Sequence, residues 1–353
     1  MAKLKVGVIG VGAISGAHIG AYMKNPDVEL CAFCDINEER LKAKGEKYGV
    51  THLYTDVEEM LKNEKLDAVS VCTWNCAHAK CSIAALNAGV NVLCEKPMAM
   101  NAKEAEEMKA AAERSGKLLM IGFVRRYGND MDVLQDFIKE DFFGDMYYAK
   151  ANYIRRNGNP GGWFCDKSRS GGGPLIDLGV HVIDFVRYAL GNPKPVSVYA
   201  ATFEKLGDRR NLKTPKGYVC ADHKPDEICD VEDLATALIR FDNGAVLNVE
   251  TSFSLNVSED RGIIEFYGEK GGAKIDPELK LYTEMNGYMT DISLKAQTAL
   301  SFDGLFAKEI NHYVECVLGT SECRSPAEDG IELMRILDAA YESAKQGHEV
   351  VIG

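Results

Sequence analysis

The sequence predicts an α/β protein: an N-terminal Rossmann-type doubly wound parallel sheet, followed by an α+β domain with a large open, mostly antiparallel sheet. Three observations carry this. Strand and helix patterns alternate from residue 4 to about residue 123. A glycine turn, Gly10-Val11-Gly12-Ala13-Ile14-Ser15, joins the first strand to the first helix. Beyond Phe123 strands follow one another, two of them around the hairpin signal Asp242-Asn243-Gly244. The chain has 353 residues, too long for one ordinary core, so two domains are expected, 1–123 and 124–353.

The first run, LKVGVI from Leu4, is short, apolar and rich in β-branched residues, as a strand buried on both faces would be. A helix pattern starts at Ser15. The next strand ends at Asp35, twenty residues beyond Ser15, where a ribose-binding acid belongs. Helices from Glu38 and Val57, a strand from Ala68, a helix from His78, a strand from Val90, a helix from Ala102 and a strand from Leu118 complete the first half. In the second half a helix from Asp130 leads to a strand from Met146 and a Gly-rich loop, Asn157 to Gly162. Strands are expected from Val196, Leu234, Ala245, Gly262, Ala273 and Leu279, and closing helices from Gly304 and Glu328. Residues 205–231 are polar and read as an insertion, a lid or an oligomer contact.

Composition is that of a soluble globular protein, with 46% hydrophobic and 27% charged residues. The net charge of −12 argues against nonspecific nucleic-acid binding and against anionic membranes. The opening MAKLKVGVIG runs straight into a strand pattern with no signal-like segment, so a cytoplasmic protein is expected. The eleven cysteines are scattered. Cys31 and Cys34 sit at an odd offset in a strand, which turns them to opposite faces, and Cys72, Cys76, Cys81 and His78 match no common zinc spacing. Reduced structural thiols and no metal are expected.

The glycine turn is the first stretch that carries chemistry. Gly10 permits a tight turn, and Gly12 lets a pyrophosphate approach backbone at a helix start, beside Ala13 and Ile14. Asp35 favours NAD, because a carboxylate accepts the ribose 2′-hydroxyl and repels a 2′-phosphate. Arg40 in the next helix leaves NADP open. Ligands of doubly wound sheets bind at strand carboxyl ends. Two further stretches lie there: Thr73-Trp74-Asn75-Cys76-Ala77-His78, whose Trp74 can pack on a cofactor and whose His78 can cap the next helix, and Glu95-Lys96-Pro97.

Ser170 to Gly191 reads as one helix with two faces. Leu175, Leu178, Val182, Val186 and Ala189 form an apolar stripe. Asp177, His181, Asp184 and Tyr188 share another face, and Asp177 and His181 at i and i+4 can meet. An acid beside an imidazole suits acid–base work; a core helix with a solvated edge has the same pattern.

Together GVIGVGAIS, TWNCAHA, CEKP, GFVRRY and GGWFCDKSRSGGGPLIDLGVHVID resemble the glucose–fructose oxidoreductase/inositol dehydrogenase/MocA (Gfo/Idh/MocA) family over essentially the whole chain. The resemblance implies NAD(P)-dependent hydride transfer between a nicotinamide and a hydroxyl or keto carbon of a sugar, cyclitol or related polyol. It implies Lys96, Asp177 and His181 as catalytic residues: Lys96 bonded to the substrate hydroxyl, His181 taking its proton, Asp177 orienting His181. It places Arg126, together with Thr73, Trp74, Asn75, His78, Glu95 and Lys96, beside the cofactor. Trp163 and Lys167, from GGWFCDK, join Lys96, Asp177 and His181 as substrate residues. It also implies a homodimer or homotetramer through the C-terminal sheet. Trp74 departs from the proline common in that loop. Two other readings stay open: an NAD-dependent redox glycosidase, and a dinucleotide-binding sensor without catalysis, which has no need of Lys96, Asp177 and His181 together.

Overall fold

A computed structural model of the chain describes residues 3–209, 211–214, 216–224, 226–301 and 304–353. It divides into two compact units, one of residues up to 124 with a returning segment, 304–331, the other of residues 125–301 and 332–353.

The first unit is built on six strands: β1 (Leu4–Ile9), β2 (Val28–Cys34), β3 (His52–Tyr54), β4 (Ala68–Val71), β5 (Asn91–Glu95) and β6 (Leu119–Gly122). They lie in the order β3-β2-β1-β4-β5-β6, all parallel. The strand order reverses beside β1, so the carboxyl ends of β1 and β4 flank the crevice where such sheets take ligands. Val6, Val8, Val69, Val71, Val92 and Leu93 are fully buried, which fits strands covered on both faces.

Its helices are α1 (Ser15–Tyr22), α2 (Glu38–Tyr48), α3 (Val57–Asn63), α4 (Asn75–Asn87) and α5 (Ala102–Ser115). Asn37, Asp56 and Asn101 cap α2, α3 and α5 by accepting from the amides of Arg40, Glu59 and Glu104. The N-cap residues of α1 and α4, Ile14 and Trp74, give no side-chain cap, and these are the two helices that open at the crevice. The helix Leu305–Val317 packs on α1, the Tyr313 hydroxyl donates to the Val69 carbonyl, and the Ile121 amide donates to the Ser325 carbonyl.

The second unit carries nine strands: β7 (Met146–Ile154), β8 (Pro195–Phe203), β9 (Leu234–Phe241), β10 (Val246–Ser252), β11 (Arg261–Gly268), β12 (Gly271–Ile275), β13 (Leu279–Met285), β14 (Tyr288–Ser293) and β15 (Val350–Val351). Their order is β14-β13-β12-β11-β7-β10-β9-β8-β15. β7 and β10 pair in parallel and the other pairings are antiparallel. The fold class is therefore the one expected from the sequence. Three strands were not foreseen. β3 and β15 are too short for a period-2 pattern, and β14 follows the Asn286-Gly287 turn with a largely exposed, mixed sequence.

Helices α6 (Asn129–Lys139), α7 (Lys167–Ser170) and α8 (Val180–Ala189) belong to this unit. The single helix expected over Ser170–Gly191 is instead interrupted. Gly171, at φ 85°, ends α7 in a left-handed conformation that favours glycine. The chain restarts at Pro174, makes one π turn over Leu175–Gly179, closed by the Val180 amide on the Leu175 carbonyl, and continues as α8 to Ala189. Val182, Ile183, Phe185 and Val186 are buried, each worth about 1.5–3 kcal/mol of apolar transfer. Gly179 lies where an added Cβ would be 3.5 Å from Thr251 Cγ2, so the helix lies close on β10.

No helix or strand is assigned among the described residues of 205–231, and Arg210, Pro215 and Pro225 lie outside them. The segment packs on the Gly-rich loop. The Cys220 amide donates to the Pro160 carbonyl, the Gly162 amide to Glu227, and the Asp230 amide to the Cys165 carbonyl. No described helix is long and apolar enough to cross a membrane.

Candidate active site

In the first unit the expected cofactor residues line neighbouring strand ends. Gly10, at φ 84°, sits so close to β4 that an added Cβ would be 2.6 Å from the Cys72 carbonyl oxygen. That contact sets the glycine turn against the loop holding Thr73, Trp74 and Asn75. At Gly12 an added Cβ would meet nothing within 4 Å, so this stretch of backbone is open to a ligand. Ser15 donates its hydroxyl to the Gly12 carbonyl at 2.8 Å. Asp35, 7% exposed, accepts from the Val11 amide at 2.8 Å and the Asn37 amide at 2.8 Å, which fixes its carboxylate beside the turn. Arg40 reaches back to within 3.8 Å of it. An open glycine backbone, an uncapped helix start and a fixed acid fit the diphosphate and adenosine ribose of a dinucleotide.

Two residues expected at the cofactor are turned inward. His78 is buried between two backbone carbonyls, with Nδ1 2.7 Å from the Pro97 oxygen and Nε2 3.2 Å from the Thr73 oxygen. Burial lowers its pKa, and the neutral ring has a single N–H to give, for which the Pro97 carbonyl offers the shorter contact. Glu95 is 6% exposed, with Oε1 2.8 Å from His18 Nε2 and Oε2 accepting the Lys96 amide at 3.2 Å. Gly122, its register partner on β6, leaves the room; an added Cβ there would be 3.3 Å from Glu95 Oε2. Burial pushes the Glu95 pKa up, but the hydrogen bond and charge interaction with His18, followed by the charge of Lys96, outweigh it and hold the carboxyl below its usual range. Lys96 itself is half-buried.

Behind His18 the chain of hydrogen bonds continues through Ser70 (3.0 Å from Nδ1) to Tyr22 (2.7 Å from Ser70 Oγ), all buried. Burial pushes the Tyr22 phenol far up, so it keeps its proton. In one assignment of the hydrogens Tyr22 donates to Ser70, Ser70 to Nδ1, and Nε2–H to Glu95. His18, Ser70 and Tyr22 were not singled out from the sequence; the one signal was a histidine inside the otherwise small and apolar SGAHIGAY.

In the second unit, of residues 172–187 only Asp177 and His181 are not buried. Further along, Tyr188 near the end of α8 is also half-buried. The π turn contains Asp177, and π turns inside helices recur at functional sites. Glu232 holds the helix start. It accepts from the Gly173 amide at 2.9 Å, the Leu175 amide at 3.1 Å and the Tyr341 hydroxyl at 3.0 Å. Burial raises the Glu232 pKa despite these donors. An added Cβ on Gly173 would lie 2.3 Å from the Glu232 carbonyl oxygen, and one on Gly172 2.0 Å from the Tyr341 hydroxyl. These glycines therefore admit Glu232 and Tyr341 to the helix start.

The other expected substrate residues lie on the adjoining segment. Trp163 is half-buried and stacked on Phe164 at 4.0 Å between centroids, with Tyr218 of the 205–231 segment edge-on to Phe164 at 6.3 Å. Lys167 is exposed, its Nζ 5.9 Å from the Tyr341 ring centroid. Arg126 does not stand at a ligand face. It is fully buried on Asp184 and under the Tyr188 ring, because a guanidinium out of water needs a carboxylate and α8 supplies one.

The family model "Oxidoreductase family, NAD-binding Rossmann fold" matches residues 4–123, and "Oxidoreductase family, C-terminal alpha/beta domain" matches residues 135–352. The D-glucoside 3-dehydrogenase of Escherichia coli (strain K12) is 35% identical over 350 residues, covering 98% of this chain and 97% of the relative. The myo-inositol 2-dehydrogenase of Thermotoga maritima is 28% identical, covering 76% of this chain and 74% of the relative. A solved levoglucosan dehydrogenase in complex with NADH shares the fold, with a TM-score of 0.87 at 22% identity over 99% of both chains.

Proposed function

Since the chain belongs to the Gfo/Idh/MocA family of NAD-binding oxidoreductases, we propose that it is an NAD-dependent dehydrogenase that oxidises a secondary hydroxyl of a sugar, cyclitol or related polyol. The observation that carries the chemistry is the run 172–187, in which Asp177 and His181 alone escape burial. A neighbouring aromatic platform, Trp163 on Phe164, suits a sugar ring face.

In this reading Gly10, Gly12, Ala13 and Ile14 receive the pyrophosphate and Asp35 the adenosine ribose. Thr73, Trp74 and Asn75 line the crevice edge. Bound NAD supplies the hydride acceptor. Lys96 donates a hydrogen bond to the hydroxyl under oxidation. His181 takes the hydroxyl proton at an imidazole nitrogen as hydride leaves the adjacent carbon, so an alcohol becomes a ketone with one proton released. Asp177 orients the ring and stabilises its charged form. Glu95 and His78 shape the strand-end loops from beneath.

Residues 1–123 are assigned to the cofactor and 124–353 to substrate and self-association. One row across the second sheet, Tyr199, Leu238, Asn248, Lys150, Glu265, Lys274 and Lys280, is unburied, as an oligomer face would be in the isolated chain. The eleven cysteines, all described and none in a disulfide, fit a reducing cytoplasm. NAD reduction measured against a panel of glucosides, aldoses, cyclitols and sugar acids tests the activity. Net NADH with one of them is expected; product release without net NADH would instead mark a redox glycosidase, and dinucleotide binding without turnover a sensor. Light scattering tests the oligomer, where a monomer would remove the sheet-face assignment.

A further inference from the structure

We propose that His18 is a positioning residue, acting through Glu95 to hold the turn that aims Lys96. The inference rests on the role given to Lys96 above and extends that role to a second helix. One carboxylate serves both partners, Oε1 receiving His18 and Oε2 the Lys96 amide. Three neighbours fix the carboxylate in this inward pose. Gly122 leaves the space beside it, Ser70 holds the far nitrogen of the imidazole, and Tyr22 holds Ser70. The four side chains come from α1, β4 and β5, so the lysine turn is fastened to the helix opened by the glycine turn.

The arrangement is directional. Glu95 sits at the last position of β5, where an outward rotamer would place its carboxylate among the cofactor loops. The imidazole draws it under the sheet edge instead, and Lys96, the next residue, is left as the half-buried cation at that strand end. Without the imidazole donor the buried carboxylate loses its main stabilising contact and turns toward water or takes up a proton. Turning outward removes the acceptor of the Lys96 amide, and protonation weakens it.

The test compares His18→Leu with His18→Gln, whose amide can donate to Glu95 and accept from Ser70. For His18→Leu, kcat for sugar oxidation is expected to fall about tenfold or more, with the Kd for NADH within about threefold of wild type. His18→Gln is expected to recover most of the loss. Hydrogen exchange at the Lys96 amide should quicken in His18→Leu and stay near wild type in His18→Gln. Should His18→Leu not fold, His18→Asn, too short to reach Glu95, takes its place with the same expectations. An unchanged kcat, a parallel loss of NADH affinity, or His18→Gln as slow as His18→Leu overturns the proposal. A wild-type protein that oxidises no sugar contradicts the dehydrogenase reading instead, and Lys96 amide exchange then decides: equal protection in all variants overturns the role of His18.

Discussion

The guanidinium of Arg126 lies on the carboxylate of Asp184 wholly out of solvent, with Nη2 2.6 Å from Oδ1 and Nε 3.0 Å from Oδ2. The Tyr188 ring packs against it at 4.5 Å. Removing one member leaves the other charged and buried. Asp184→Ala should therefore cost about 3–5 kcal/mol in urea unfolding, whereas an apolar replacement of both residues should cost much less. A loss under about 1 kcal/mol for the single variant would contradict this.

Gly173→Ala should be more damaging than Gly172→Ala. The first places a methyl against the Glu232 backbone carbonyl, which cannot move alone, and the second against the Tyr341 hydroxyl at the end of a side chain. Gly173→Ala should cost about 1–3 kcal/mol and lower kcat, because Asp177 begins in the displaced turn. Equal stability of the two variants would mean the helix start is freer than the contacts indicate.

Lys96→Ala should reduce kcat by about 10²–10⁴ while leaving NADH affinity within about threefold. Steady-state kinetics and NADH fluorescence titration give the two numbers. Turnover close to wild type would sink the assignment.

Asp35→Ala should shift the ratio of kcat/KM for NAD over NADP by about tenfold or more toward NADP. The carboxylate that repels a 2′-phosphate is gone, and Arg40, now 3.8 Å from it, is released toward that phosphate. A wild-type enzyme that already prefers NADP would refute the role of Asp35.

The pH dependence of stability follows from Glu95. Its folded pKa lies below the ordinary value, so its contribution is complete above about pH 4.3 and is lost as the pH falls through the folded value. Glu95→Gln should therefore lose less stability than wild type when urea midpoints at pH 7 are compared with those near pH 4. Parallel losses would show that other carboxylates dominate acid unfolding.

The parallel half was legible because its strands are buried on both faces and its helices open at recognisable residues. Gly10, Gly12 and Asp35 could be placed by spacing alone, since β1, its turn and β2 form one local unit. Inward rotamers were not legible. Nothing local distinguishes Glu95 pointing at His18 from Glu95 pointing at a ligand, because the decision lies in Gly122, on another strand. Arg126 was misleading for the same reason, its partner Asp184 standing 58 residues away. The π turn was invisible because one extra residue in a turn leaves the apolar periodicity almost unchanged. On the polar face of that helix Asp177, His181 and Tyr188 are half-buried and Asp184 is buried, a division that spacing along one face does not encode.

The returning segment, residues 304–331, bears on how such chains can be recombined. Residues 3–124 lack their own cover: β6 is bridged at Met120 to Pro326, and α1 lies under the helix Leu305–Val317. A gene fragment stopped at residue 123 would leave that strand edge and helix face bare and prone to association. Exchanging cofactor modules among relatives therefore takes two crossovers rather than one, with the second falling inside the helix Ala327–Gln346. A single-junction chimera joins a foreign module to the parental lid helix, and its solubility becomes a direct measure of how far those two surfaces have drifted apart.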